Sequence, residues 1–260
     1  MKVTVLVYDS VVKLPAEANG AVVVGGSHAA VYAAYMSAKY GCRAAIHHDA
    51  GIGKDEAGVS GLAYADKLGM AMAAVATASA RIGDGQDLYS RGIISRANAL
   101  AAACGVTPGM SCKDAAELLK TAPWPHTEPP HKGEDRHIVD GFACLDSSSL
   151  FLPGDRGQIV ATGSHAAINS GMATTAGRPR LAFFNDAGPG ADRGGVLGLD
   201  VLEKEGIAGV AVAALSARIG DGRSTLQDGT ISAFNPTAHR LGARVGVAAL
   251  ALARALAEKA

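Results

Sequence analysis

Short apolar runs that end in polar, glycine-containing turns recur along the chain. Such runs are typical of strands that are buried on both faces of a parallel sheet. Between them, apolar residues recur at a spacing near 3.6, which predicts helices closed by glycine. In the first half, this pattern predicts strands at 3–7, 21–24, 43–46 and 70–78 and helices at 29–39, 59–68 and 94–104. Alternation of strand, polar turn and helix predicts an α/β fold with helices on both faces of a parallel sheet.

The chain also contains an internal repeat. The heptapeptide Ser-Ala-Arg-Ile-Gly-Asp-Gly occurs at 79–85 and again at 216–222, an offset of 137 residues. The same offset aligns Gly-Ser-His-Ala-Ala at 26–30 and Asp-Ala-Gly at 49–51 with identical residues in the second half. Many polar residues are identical in the two halves, whereas the apolar residues between them differ. This pattern indicates a functional site more than a shared core. We therefore predict a tandem duplication of a Rossmann-like parallel-sheet half-domain, with two lobes related by a pseudo-twofold axis.

The repeat predicts the domain boundaries. We expect a first α/β repeat at 1–106, a proline-rich connector at 107–137 and a second α/β repeat at 138–260. The connector holds four prolines around Trp124, after a short predicted helix at 113–120. In the second repeat, 138–145 reads as a strand and 237–259 as one long closing helix.

Composition limits the classes of partner. Lys+Arg and Asp+Glu are equal at 24 each, and no basic cluster is present in the sequence, so neither nucleic acid nor an anionic membrane is an expected partner. The four cysteines have neither zinc-site spacing nor the density of a disulfide scaffold. The first apolar run is too short for a signal-peptide core or a membrane span, so we expect a cytoplasmic protein. The apolar C-terminal stretch leads us to expect a homo-oligomer.

The Gly-Ser-His motif falls at the end of a predicted strand. Ser27 would be the N-cap of the next helix, where free amide groups bind anions, and His28 would carry a proton or donate a hydrogen bond. Ser164 and His165 repeat the pair. An ordinary capping serine and a structural histidine explain the same residues. Because adjacent side chains rarely face one another, the pair does not indicate a hydrolase triad.

Acidic loops follow the next predicted strand in each half. Asp49 and Asp186 could bind a metal, act as general base or bond the amides of the turn. The two halves differ here, because Lys54 aligns with Ala191 and His48 with Asn185. This asymmetry predicts one composite site in an inter-lobe cleft.

The repeated heptapeptide gives the strongest indication of a ligand. An arginine on a glycine-flanked loop suits a bidentate grip on a carboxylate or phosphate, so Arg81 and Arg218 are candidate anion clamps. An internal ion pair between Arg81 and Asp84 would brace the loop instead, and both roles can hold together. Ser95 and Asn98, one helical turn apart, would face the same pocket from the predicted helix, or Ser95 would cap that helix instead.

Cofactor motifs are absent from the sequence. It carries no phosphate-loop lysine motif, no paired dinucleotide fingerprint and no zinc spacing. A hard-metal site built from His28, His47 and His48 with Asp49 and Asp84 is conceivable, but we expect neither a cofactor nor a metal.

We therefore expect an enzyme that acts on a small carboxylate-bearing metabolite, with hydrolysis of an amide or other C–N bond as the first hypothesis. The alternatives are a lyase or isomerase with Lys54 or His48 as proton carrier, and a two-lobed small-anion binding or sensory protein without catalysis. The candidate catalytic residues are Lys54, His48, Asp49, Ser79, Ser216 and Asp186. The candidate substrate-binding residues are Ser27, His28, Arg81, Asp84, Ser95, Asn98, Ser164, His165, Arg218, Asp221, Ser232 and Asn235.

Overall fold

The computed structural model describes residues 3–258, which divide into two compact units. The first contains the residues up to Ile52, Gly58–Gly133 and the short segment Gly190–Asp192. The second contains Gly53–Ala57, Glu134–Pro189 and the residues from Arg193 onward. Each unit thus includes a short segment from the half of the sequence that forms most of the other.

The first unit is built on a five-stranded sheet in the order β1-β2-β3-β4-β5. Its strands are β1 (Val5–Tyr8), β2 (Val22–His28), β3 (Ala44–His48), β4 (Ala71–Val75) and β5 (Ile94–Ala97). Its helices are α1 (Val31–Lys39), α2 (Gly61–Leu68), α3 (Gly85–Arg91), α4 (Ala99–Ala103) and α5 (Cys112–Leu119). Strands β1 to β4 are parallel and β5 is antiparallel to β4.

The second unit is built on a six-stranded sheet in the order β11-β10-β9-β8-β7-β6. Its strands are β6 (Arg136–Val139), β7 (Phe142–Leu145), β8 (Ile159–His165), β9 (Leu181–Asn185), β10 (Ala208–Val212) and β11 (Ile231–Phe234). Its helices are α6 (Ile168–Thr174), α7 (Gly198–Lys204), α8 (Gly222–Gln227), α9 (Pro236–Arg240) and α10 (Ala249–Ala257). Strands β7 to β10 are parallel, and both edge strands run antiparallel. The α/β fold of two similar lobes is confirmed, while the duplication and the pseudo-twofold relation stay predictions.

The central strands are apolar on both faces because helices cover both. Along β3, Ala44 and Ile46 contribute to one apolar cluster and Ala45 to another on the opposite face. Side chains alternate between the faces of a strand, so a continuous apolar run fills two cores at once. This explains why strand prediction from apolar runs succeeds for β2, β3 and β4.

Glycine permits a close backbone approach at the start of α3 and of α8. A Cβ on Gly85 would clash with the carbonyl oxygen of Tyr8 at the end of β1, and one on Gly222 with that of Leu145 at the end of β7. The repeated heptapeptide ends in these glycines. Its loop therefore lies directly over the carboxyl ends of the parallel strands in each unit.

Three predicted elements are wrong. The predicted helix at 94–104 is strand β5 followed by helix α4, because Ile94–Ala97 pairs with β4. The predicted strand at 138–145 is a hairpin, since β6 and β7 turn at Asp140 and Gly141, both at positive φ. The predicted closing helix at 237–259 is α9 and α10, separated by glycines at positive φ. Within residues 3–258, helices with the length and apolar character needed to cross a membrane are absent.

Candidate functional site

The predicted Gly-Ser-His motifs lie at the carboxyl ends of central strands. In the first unit, β2 ends at His28, which pairs with His48 at the end of β3. In the second, β8 ends at His165, which pairs with Asn185 at the end of β9. Ligands of parallel α/β sheets bind beyond this edge.

Ser27 and Ser164 do not cap helices. They lie within β2 and β8, and Ala30 and Ala167 are the N-cap residues of α1 and α6. The Ser27 hydroxyl accepts the amide of Val11 at 3.2 Å, and the Ser164 hydroxyl accepts that of Ser148 at 2.8 Å. A hydroxyl that accepts a hydrogen bond keeps its own proton for another acceptor.

The loop of the heptapeptide lies against both strand ends in the first unit. The amide of Gly83 donates to the carbonyl of Gly26 at 2.8 Å, and the ring of His48 bonds the carbonyl of Ala80 at 3.0 Å. Arg81 is therefore held between the ends of β2 and β3. The structure brings Ser27, His28, His48 and Arg81 to one edge, as the sequence predicts.

Burial keeps the histidines at this edge uncharged. Desolvation, with smaller contributions from the nearby His47 and His48, lowers the pKa of His28 to about 4. Desolvation likewise lowers the pKa of His47 to about 4, although the hydrogen bond that its ring donates to the carbonyl of Gly25 acts in the opposite direction. An imidazolium in these surroundings would lose its hydration without a compensating anion. Both rings are therefore neutral at pH 7.

His47 has a structural environment. Its Nε2 lies 3.0 Å from the hydroxyl of Ser37 on α1, and its Nδ1 lies 3.2 Å from the carbonyl of Gly25. A neutral imidazole donates from one nitrogen and accepts at the other. Since a carbonyl only accepts, Nδ1 carries the proton and Nε2 is the acceptor. The hydroxyl of Ser37 has its one proton within reach of both Nε2 and the carbonyl of Ala33, which lies 2.9 Å away. His47 thereby ties β3 to β2 and α1.

His48 and Asn185 make the same two hydrogen bonds. The Nδ1 of His48 accepts the amide of Ala50 at 2.9 Å, and Nε2 donates to the carbonyl of Ala80. The Oδ1 of Asn185 accepts the amide of Ala187 at 2.9 Å, and Nδ2 donates to the carbonyl of Ala217 at 2.9 Å. The difference between the halves at this position therefore preserves one bonding pattern. The difference between His48 and Asn185 is therefore explained without a catalytic role for His48.

The two repeated aspartates brace loops. One oxygen of Asp49 accepts the amides of Gly51 and Thr77, each at 2.9 Å. One oxygen of Asp186 accepts the amides of Gly188 and Ala214 at 2.9 Å, and its other oxygen accepts the hydroxyl of Ser232 at 2.7 Å. Both carboxylates are almost fully buried. Among the roles that the sequence left open, these contacts favour bonding of turn amides.

The loops that follow Asp49 and Asp186 contain unusual backbone conformations. Ala50, Ile52, Asp55 and Glu56 all have positive φ, as do Ala187, Asp192 and Arg193 in the second loop. The left-handed conformation costs roughly 1 to 2 kcal/mol for each residue with a Cβ. Strained backbone of this kind persists where the surrounding structure imposes it, and it clusters at functional sites.

Arg81 belongs to a network of ion pairs in the first unit. Its Nη2 lies 3.0 Å from Asp84 and 3.2 Å from Asp87. Arg91 pairs with Asp87 at 2.8 Å and with Asp192, which also lies 3.6 Å from Arg81. The predicted brace between Arg81 and Asp84 is confirmed. The Arg81 side chain remains 37% exposed, so a ligand can still reach it.

The corresponding network of the second unit includes Lys54. Its Nζ lies 2.9 Å from Asp228, which also accepts the hydroxyl of Ser224 at 2.7 Å. Arg218 pairs with Asp55 at 2.8 Å and lies 3.9 Å from Asp228. Asp228 aligns with Arg91 under the offset, so the charge at this position is reversed. Lys54 supplies the positive charge that Arg91 supplies in the first unit.

The remaining residues of the heptapeptide shape its loop. Ser79 donates to the carbonyl of Ala76 at 2.8 Å and accepts the amide of Ile93 at 2.9 Å. Ser216 makes the equivalent pair of bonds to Ala213 and Thr230. Each hydroxyl donates its proton to a carbonyl and accepts an amide with its oxygen, so its proton is not directed at a general base and it is a poor nucleophile. Asp84 and Asp221 are the N-caps of α3 and α8.

Asn98 and Asn235 lie away from this edge. The Oδ1 of Asn98 accepts the amide of Met72 at 3.0 Å and its Nδ2 donates to the carbonyl of Met70 at 2.9 Å, at the start of β4. Asn235 makes the same contacts with Gly209 and Ile207. Ser95 bonds Ala74 at 3.3 Å, nearer the carboxyl end. The predicted helical spacing of Ser95 and Asn98 fails because β5 is a strand.

Sequence reasoning missed a groove in the first unit. It has a volume of about 560 Å³ and lies between α1 and the proline-rich segment. Its walls include Tyr35, Lys39, Trp124, His126 and His131. The aromatic and basic residues of that segment are the sequence signal that indicates this groove.

The chain matches no known family model, no curated protein and no solved structure. A function for this site therefore rests on its geometry alone.

Proposed function

We propose that the protein is an enzyme that acts on a small carboxylate-bearing metabolite, with hydrolysis of an amide or another C–N bond as its reaction. The observation that carries the proposal is the Ser27–His28 pair at the carboxyl end of β2. His28 is neutral at pH 7 because its pKa is lowered to about 4, and it lies beside Ser27 and the heptapeptide loop at the edge where ligands of parallel sheets bind. We assign the proton transfer to His28 because of this position.

The chemistry needs a proton carrier and stabilisation of an oxyanion. Neutral His28 would take a proton from water as the water oxygen attacks the amide carbonyl, and the carbonyl electrons would move to oxygen. Collapse of this intermediate breaks the C–N bond, and the imidazolium returns the proton to the leaving nitrogen. The hydroxyl proton of Ser27 is available to the oxyanion, and Arg81 is available to the substrate carboxylate.

Backbone strain supports a functional role for this edge. Loops at 50–56 and 187–193 hold several residues other than glycine at positive φ. Buried carboxylates and close glycine contacts keep these loops in place. Such strain lowers the stability of the fold, so we expect it where a loop has to hold functional groups in one fixed geometry.

A substrate screen tests the proposal. Purified full-length protein is incubated with N-acyl amino acids, N-carbamoyl amino acids and cyclic imides, and release of amine or ammonia is followed by mass spectrometry. We expect turnover of at least one class, and we expect His28→Gln to lower its rate by about 100-fold or more. The matched control is His239→Gln, because His239 is exposed and stacks on Phe234 in the second unit.

Two results would contradict the proposal. One is the absence of turnover for every class in the screen. The other is a His28→Gln variant that keeps the full rate. A rate loss counts only if the variant has the thermal midpoint of the parent protein.

A second candidate is a small-anion binding protein without catalysis. The groove beside α1 favours it, because Lys39, His126 and His131 line that groove and none of them is a candidate catalytic residue. Binding of a carboxylate that is never turned over, and that is weakened by Lys39→Ala but not by His28→Gln, would select this function. The lyase or isomerase alternative relies on Lys54 or His48, whose polar atoms are engaged with Asp228, Ala50 and Ala80.

A further inference from the structure

Asp135, His137 and Asp146 form a cluster of potential metal ligands in the second unit. One potential ligand atom from each lies within 4.8 Å of the others. Asp135 is exposed, and the side chains of His137 and Asp146 are 29% and 16% exposed. Solvent can therefore reach the cluster, while one of its carboxylates is largely enclosed.

The hairpin of β6 and β7 explains why these residues meet. Arg136 pairs with Leu145, so Asp135 and Asp146 are one step further along the same antiparallel pair. The amide of Asp146 donates to the carbonyl of Asp135 at 3.1 Å, which continues the pairing. Side chains two residues apart on a strand share a face, so His137 lies on the face of Asp135. The antiparallel turn places all three side chains beside the carboxyl end of β7.

The charges in this cluster are incompletely balanced. Carboxylates directly opposite each other on two strands repel. Asp146 Oδ2 accepts the amide of Asp135 at 3.1 Å and lies 3.7 Å from His137 Nε2. Asp146 Oδ1 is buried, and the described residues give it no hydrogen-bond partner. Arg223 interacts electrostatically with Asp146, but its own hydrogen bond goes to Asp221 at 3.2 Å.

We propose that Asp135, His137 and Asp146 bind one divalent transition-metal cation such as Zn²⁺. Two carboxylates and one imidazole are a donor set for such ions, whereas Mg²⁺ and Ca²⁺ prefer oxygen donors alone. The cation offsets the repulsion of the two carboxylates. Water fills the remaining positions on the exposed side. This site stands independently of the enzymatic activity proposed above.

The first half of the chain supplies a matched control. Under the offset, Asp146 aligns with Asp9, which follows β1 as Asp146 follows β7. Asp9 accepts the amide of Gly85 at 3.0 Å. Among residues 3–258, β1 is the edge strand of its sheet, and no strand there takes the place beside Asp9 that β6 takes beside Asp146. Asp9→Asn should therefore leave metal binding unchanged.

The experiment is titration of chelator-treated full-length protein with Zn²⁺ in a calorimeter, with Co²⁺ absorption as a second readout. We expect one ion per chain, and we expect His137→Gln and Asp146→Asn each to weaken binding by at least about tenfold. Asp135→Asn changes an exposed side chain and provides a variant whose fold is least affected. Far-ultraviolet circular dichroism checks the fold of each variant.

Three outcomes would overturn the proposal. The first is that the parent protein binds neither Zn²⁺ nor Co²⁺ at millimolar concentration. The second is that the three variants bind as tightly as Asp9→Asn. The third is that binding disappears after alkylation of the four free cysteines while His137→Gln retains it, which would assign the metal to thiolates.

Discussion

Substitutions at His48 distinguish a structural role from a catalytic role. The ring is buried, with Nδ1 accepting the amide of Ala50 and Nε2 donating to the carbonyl of Ala80. His48→Ala leaves both backbone groups without their partner and opens a cavity. An unsatisfied buried group costs about 1 to 3 kcal/mol, so two of them predict a loss of about 2 to 6 kcal/mol in the free energy of unfolding.

Two replacements test which hydrogen bonds matter. Asn185 shows that an asparagine at this position accepts the loop amide with Oδ1 and donates to the heptapeptide carbonyl with Nδ2, so His48→Asn should keep most of the stability. The amide nitrogen of glutamine reaches as far as Nε2, so His48→Gln keeps only the bond to Ala80 and should lose about half as much stability as His48→Ala. Asn185→Ala is the matched control in the second unit, where it removes the same two bonds.

Urea unfolding provides the assay. The chain has a single tryptophan, Trp124, so its fluorescence reports on the first unit, and circular dichroism reports on both units. With a slope of about 1 to 3 kcal/mol per molar urea, a loss of 3 kcal/mol moves the midpoint by about 1 M or more. An unchanged midpoint for His48→Ala would refute the structural role. Normal stability with lost turnover in His48→Asn would show instead that His48 is catalytic.

Three further predictions concern other residues. His47 has a pKa of about 4 in the folded protein and of about 6.5 in the unfolded chain, so the unfolded chain binds more protons between these two pH values. The free energy of unfolding should therefore fall by about 3 kcal/mol as the pH drops from about 6.5 to about 4. A urea midpoint that does not change with pH over this range would contradict the prediction. Gly195→Ala should lower the free energy of unfolding by more than about 2 kcal/mol, because the new Cβ would clash with the backbone carbonyl of Asp186. The control is Gly154→Ala, which places its Cβ in open space and should unfold at the same urea concentration as the parent protein. Lys54→Ala breaks a partly exposed ion pair with Asp228 and should lower the free energy of unfolding by about 1 kcal/mol or less, measured by thermal or urea unfolding. The predicted catalytic role requires turnover to fall by about tenfold to a hundredfold, and unchanged turnover would exclude it.

The sequence alone predicted the central strands and the edge at which the polar motifs lie. Continuous apolar runs such as 43–46 have few alternatives in a chain rich in small side chains, because only a strand covered on both faces buries them fully. The polar residues that follow each run then have to lie at the carboxyl ends of parallel strands. Ser27, His28 and Arg81 were located by this reasoning without any knowledge of tertiary contacts.

Only the tertiary structure decided what the polar residues bind. The segment 94–104 has the composition of a helix, yet Ile94–Ala97 is a strand because β4, about 20 residues earlier, offers it a pairing edge. His48 resembled a catalytic residue because Asn185 replaces it in the second half. The carbonyl groups of Ala80 and Ala217, distant in sequence, show that both side chains perform one task. A sequence pattern reveals which polar groups are kept, but their hydrogen-bond partners are set by chain segments that meet only in the folded protein.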